Sequence, residues 1–95
     1  MNEEKHYDID FNDYSFNDMP GMFTYRLRKK RMTKSGNMTL FVDCDNGAKH
    51  MITLFPDNNF HGMLSVEPEA VISVEFVCSK NGRIYAKSIT VKENA

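Results

Sequence analysis

The sequence predicts an all-β fold, a small five-stranded Greek-key barrel with one short helix between the third and fourth strands. Three observations lead there. Five segments alternate apolar and polar residues with a period of two. Turns rich in Gly, Asn, Asp and Ser separate most of them. A single stretch, after Pro56, shows helical spacing instead.

Residues 1–20 read as an acidic arm ahead of a domain at 21–95. The arm carries Glu3, Glu4, Asp8, Asp10, Asp13 and Asp18 against Lys5 alone, a balance of −5, while the rest of the chain balances to +4. The net charge of −1 therefore hides a basic domain with an acidic extension. Tyr7, Ile9 and Phe11 alternate with Asp8 and Asp10, so the arm reads either as a strand added to a sheet edge or as a disordered tail. Met19-Pro20-Gly21 breaks it from the first main strand.

That strand, about Met22 to Met32, puts Phe23, Tyr25 and Leu27 on a core face and Thr24, Arg26 and Arg28 on the other. The second, about Met38 to Cys44, turns Met38, Leu40, Val42 and Cys44 inward and Thr39, Phe41 and Asp43 outward; Asp45-Asn46-Gly47 supplies the following turn. In the third, about Lys49 to Phe55, Ile52 and Leu54 point inward, and Pro56 ends the ladder because it has no N–H to donate. Asp57-Asn58 then offer an N-cap, and Phe60, Met63 and Leu64 form one apolar helical face. The fourth strand, about Ala70 to Cys78, has Ile72, Val74, Phe76 and Cys78 in phase, and Ser79-Lys80-Asn81-Gly82 makes a hairpin turn. The fifth, about Arg83 to Val91, buries Ile84 and Ala86 and shows Tyr85 and Lys87; a slip of phase near Ser88, as a β-bulge produces, returns Ile89 and Val91 to the core.

The order β-β-β-α-β-β is that of the OB-fold barrel. Several pieces within residues 22–91 also resemble OB-fold domains of the anticodon-binding type, most closely the OB domain of bacterial DNA polymerase III alpha subunits. These pieces are Leu27-Arg28-Lys29-Lys30-Arg31, Thr33-Lys34-Ser35-Gly36, Leu40-Phe41-Val42, Leu54-Phe55-Pro56-Asp57 and Asn81-Gly82-Arg83-Ile84. Met32 departs from that pattern as an insertion, and the acidic arm has no counterpart in it. The resemblance implies binding of single-stranded template and, without the remaining machinery, no polymerase activity.

An OB-fold holds a single strand with cations that track phosphates and aromatic faces on which bases stack. The candidate cations are Arg26, Arg28, Lys29, Lys30, Arg31 and Lys34 around the first turn, and Lys80, Arg83 and Lys87 around the last. Both turns are expected on one rim of the barrel. Phe41, Phe55 and Tyr85, on the outward phase of their strands, are the candidate stacking platforms, with packing under the arm or at an oligomer interface as the structural alternatives for Phe41. The arm's Tyr7, Phe11, Tyr14 and Phe16, set among carboxylates, are suited to imitate a nucleic-acid strand against this basic face. Recruitment of another protein is the arm's other expected use.

Catalysis is not expected. Asp43 and Asp45 share a strand face, but Asp45 is explained by turn chemistry, and no phosphate loop or nucleophile triad is present. Cys44 and Cys78 read as buried thiols, His50 as a structural histidine, and no ligand spacing points to a metal or a cofactor. The start, Met1-Asn2-Glu3-Glu4, lacks signal-peptide character and no apolar run approaches the ~20 residues of a membrane span, so the expected compartment is the cytoplasm. The function expected is non-catalytic binding of single-stranded DNA in replication, recombination or repair, with RNA as the second ligand. The competing expectation is a protein-interaction module that docks a replication or repair partner through its rim or arm.

Overall fold

The computed structural model describes residues 9–95; Tyr7 and Asp8, where the expected alternation in the arm begins, lie outside them. Six strands form one sheet: β1 (Ser15–Phe16), β2 (Gly21–Met32), β3 (Met38–Cys44), β4 (Lys49–Leu54), β5 (Val71–Cys78) and β6 (Ile84–Glu93). Their order is β1-β4-β3-β2-β5-β6, and a helix, α1 (Asn58–Met63), lies on the crossover from β4 to β5. The fold is thus all-β with one short helix where the sequence places it. The strand beyond the expected five is β1, which pairs in parallel with His50 and Met51 of β4. Among the described residues β6 ladders with β5 alone, and no ladder joins it to β4, so the sheet stays open.

The three tight hairpins are built alike. Each closes three residues with an N–H to C=O bond across the loop, Thr33 to Asn37, Cys44 to Ala48 and Ser79 to Arg83, and each turns on a glycine amide bonded back to the first residue. Those glycines, Gly36, Gly47 and Gly82, have φ between +81° and +92°, a conformation that side chains disfavour. The sequence Thr/Ser-Lys-x-Gly thus fixes two turns of one geometry, each with a lysine directly after its first residue.

The inner face of the sheet buries Tyr25, Leu27, Leu40, Val42, Ile52, Leu54, Ile72, Val74 and Phe76 in one cluster, as the period of two requires. The helix closes one end of this core. Asp57 caps it by accepting from the Phe60 amide at 3.0 Å, and Phe60 and Met63 are buried beneath it. Leu64, expected on the same face, is exposed; α1 ends at Met63, and Val66 fills the core instead. Cys78 is exposed where the sequence reading buries it, because β5 ends there beyond the core; Cys44 is half-buried. The expected slip in the last strand is a bulge at Lys87, between the pairs Phe76 to Ala86 and Glu75 to Ser88. Below it Val91 stays exposed and Ile89 only half-buried.

A further register shift shapes the outer face of β2 and β3. On β2 it falls between Leu27 and Lys29, so Leu27 pairs with Val42 while Lys29 pairs with Phe41 and Lys30 with Leu40. Simple alternation would keep Arg26, Arg28 and Lys30 together on one face; the bulge at Arg28 brings Lys30 round to the core side and leaves Lys29 and Arg31 outside.

Candidate functional site

The run Arg26 to Arg31 is divided among three tasks by that bulge. Arg28 donates from Nε to Asp43 at 2.7 Å and from Nη1 to both carboxylate oxygens of Glu69 at 2.8 and 2.9 Å. Arg26 donates to the Glu69 carbonyl at 2.8 Å. Glu69 is thereby held at φ +81°, the one non-glycine residue with positive φ among those described. Lys30 reaches the end of α1 and donates to the carbonyls of Met63 and Leu64 at 3.0 and 2.9 Å, where a cation also meets the negative end of the helix. Lys29, Lys34, Lys80, Arg83 and Lys87 are exposed and form no ion pair among the described residues.

The arm covers the outer face of β3. Phe41 is 3% exposed, with the Phe11 ring 4.7 Å away and the Tyr14 ring edge-on at 5.4 Å. Of the two structural alternatives for Phe41, packing under the arm is therefore the arrangement found. Asp10 caps a single 3-10 turn, Phe11–Asp13, by accepting from the Asn12 amide, so this part of the arm is not the expected strand. Tyr14 then donates its hydroxyl to Asp43 at 2.8 Å, and Lys49 stands over its ring. Burial and the neighbouring Asp43 both push the Tyr14 hydroxyl far above its ordinary range, so it remains a neutral donor. Burial also pushes the Asp43 carboxyl upward, but hydrogen bonds from Arg28 and Tyr14 and the charge of Lys49 outweigh it and hold Asp43 below its usual value. Asp43, which the sequence suggests only as half of a carboxylate pair, is the post to which the arm is tied. A cavity of about 420 Å³ beside it is lined by Asp10, Asp13, Tyr14, Arg28, Asp43 and Lys49, with cations and carboxylates both in its wall.

A larger groove, about 780 Å³, opens on the other side of β4. It runs between β4 and the β5–β6 hairpin, along the gap where the sheet does not close. Phe16 from β1, Phe55 just after β4 and Tyr85 from β6 line it and are 64%, 61% and 51% exposed. Arg83, Ser79 and Asn81 bring the hairpin turn to its wall, and Lys80 shares that turn. Two of the expected platforms, Phe55 and Tyr85, thus meet in one place with an expected cation. Phe16 is the lining residue that reasoning from main-strand periodicity misses. Its signal is local: Asn17 builds an Asx turn with Met19, bonding to its carbonyl and amide at 2.7 and 3.2 Å, which ends β1 and aims the chain toward β2.

The two basic turns do not share a rim. The β2–β3 turn follows Met32, paired with Met38, whereas the β5–β6 turn lies beyond Phe76, paired with Gly21 at the start of β2. They stand at opposite ends of a twelve-residue strand, on the order of 35–40 Å if straight. His50 sits between the sites as a structural residue, its Nδ1 sharing a 2.7 Å hydrogen bond with the Tyr25 hydroxyl. Among the described residues no three His, Cys, Asp or Glu side chains cluster as metal ligands, and no helix is long and apolar enough to cross a membrane. No protein-family model, curated protein or solved structure matches this chain.

Proposed function

We propose that the chain is an OB-type domain that binds single-stranded nucleic acid without catalysis, DNA ahead of RNA. The observation that carries this reading is the convergence of three exposed aromatic rings, Phe16, Phe55 and Tyr85, on one groove edged by Arg83. Large exposed apolar rings gathered in one place mark a binding surface, and rings with uncommitted cations beside them suit bases and phosphates together. The strand order β4-β3-β2-β5-β6 supports the OB reading, with the groove in the seam between its third and fifth strands. The preference for DNA rests on the resemblance to the OB domain of polymerase III alpha subunits.

The test is fluorescence anisotropy of a labelled oligo-thymidine of about 20 nucleotides, beside a duplex and an RNA of matched length. The expected result is salt-sensitive binding that favours the single strand and is weakened by about 1–3 kcal/mol in Phe55→Ala and in Tyr85→Ala. Absence of binding at low salt overturns it.

One observation favours a second reading, that of a protein-docking module. The outer edge of β6, and that of β4 beyond Met51, carry no ladder among the described residues, and an extended peptide pairs with such edges. In that case the oligonucleotide does not bind, and substitutions at Lys80 and Arg83 leave function intact.

A further inference from the structure

Besides the open groove, the outer face of β2 and β3 holds an aromatic position that is already filled. The Phe11 ring packs on Phe41 at 4.7 Å, tilted by 47°, and the guanidinium of Arg31 lies over the same Phe11 ring at 5.2 Å. An aromatic ring and an arginine plane are the two surfaces on which proteins stack an unpaired base. Phe11 has the flat shape of a base but none of its hydrogen-bonding edges.

We infer that Phe41 and Arg31 form a second nucleobase subsite, which the Phe11 ring occupies in this structure and which a bound single strand takes over by displacing it. The inference rests on the reading of the protein as a single-strand binder. Two features of the arm point to exchange at Phe11 and anchorage at Tyr14. Phe11 is 40% exposed and belongs to a one-turn 3-10 segment with no buried residue, closed by the bonds Asp13 to Asp10 and Tyr14 to Phe11. Tyr14 is 6% exposed and tied to Asp43. Opening residues 10–13 therefore frees the ring of Phe11 while Tyr14 and β1 stay in place. Charge favours the exchange as well. Asp10 and Asp13 flank Phe11 and line the cavity beside Arg28 and Lys49, so their departure with Phe11 removes two negative charges from the path of an arriving phosphate.

The chain has no tryptophan, so Phe11→Trp places a single reporter at the position in question. Titration of this variant with the labelled oligo-thymidine is followed by anisotropy and by tryptophan emission together. The expected result is a red shift and greater iodide quenching of the tryptophan in step with the anisotropy rise. Phe11→Ala, which removes a ring outside the core cluster, is expected to bind about five- to tenfold tighter, a gain abolished in Phe11→Ala/Phe41→Ala. Saturation by anisotropy with unchanged emission, or unchanged affinity in Phe11→Ala, overturns the inference and leaves the binding reading standing. No anisotropy change in any variant overturns both.

Discussion

The Tyr14 hydroxyl donates to Asp43 Oδ1 at 2.8 Å across 29 residues of sequence, joining an acidic arm to a basic sheet through a carboxylate. Arg28 and Lys49 hold the same carboxylate, at 2.7 and 3.4 Å, so Asp43 links the Tyr14 hydroxyl of the arm to both cations of the sheet. Removing the hydroxyl alone keeps the ring packed on Phe41 and deletes one hydrogen bond to a charged acceptor. Tyr14→Phe is expected to lower stability by about 1–2 kcal/mol, read as a fall in the urea midpoint at constant m-value.

Asp43 and His50 produce two distinct losses of stability in acid. His50 is pushed below its usual value, first by burial, with the charge of Asp18 opposing. Its unfolded form takes up a proton before the folded form does, so its contribution is complete above about pH 6.5 and is lost as pH falls through the lowered folded value. Asp43 is also held low, so its contribution is present above about pH 4 and is lost as pH falls further. Denaturation midpoints measured from pH 8 to pH 3 should show both limbs. His50→Gln should flatten the upper limb and Asp43→Asn the lower; an unchanged profile in either variant removes that residue from the account.

Adjacent lysines should behave oppositely. Lys30→Ala leaves two helix-end carbonyls without their donor and is expected to cost about 1 kcal/mol of stability. Lys29→Ala, exposed and unpaired among the described residues, should leave stability unchanged and weaken oligonucleotide binding. The same division sets the salt dependence. Lys29, Lys34, Lys80, Arg83 and Lys87, five exposed cations without an ion pair among the described residues, at about −0.7 each give a slope near −3.5, against about −6.3 if all nine candidate cations engaged phosphate. A plot of log affinity against log salt separates the two values.

Glu69 carries opposing effects in one residue: a backbone at φ +81° that disfavours a side chain, and a carboxylate that takes Arg28. Glu69→Ala keeps the strain and loses the ion pair, whereas Glu69→Gly loses the pair and relieves the strain. Glycine is therefore expected to be the more stable of the two variants by about 1 kcal/mol. Equal thermal midpoints for the two would show that the backbone here is unstrained.

The elements legible in the amino-acid order are those whose causes are local. Alternation places Tyr25, Leu27, Leu40, Val42, Ile52, Leu54, Ile72, Val74 and Phe76 in the core. The glycines of the three hairpin loops, the Asp57 cap and the break at Pro56 each act through neighbours a few residues away. Features that depend on distant partners emerge only when the strands pack. Alternation along β2 says nothing of the bulge at Arg28, which sends Lys30 inward to a helix 33 residues on. The cover over Phe41 comes from an arm whose own pattern points to a different pairing, and the separation of the basic turns comes from β5 running antiparallel to β2. The groove of Phe16, Phe55 and Tyr85 exists because the sheet curls without closing. Periodicity and turn chemistry are short-range, whereas the choice of which exposed cation stays free and which aromatic is covered is made by contacts between strands far apart in the chain.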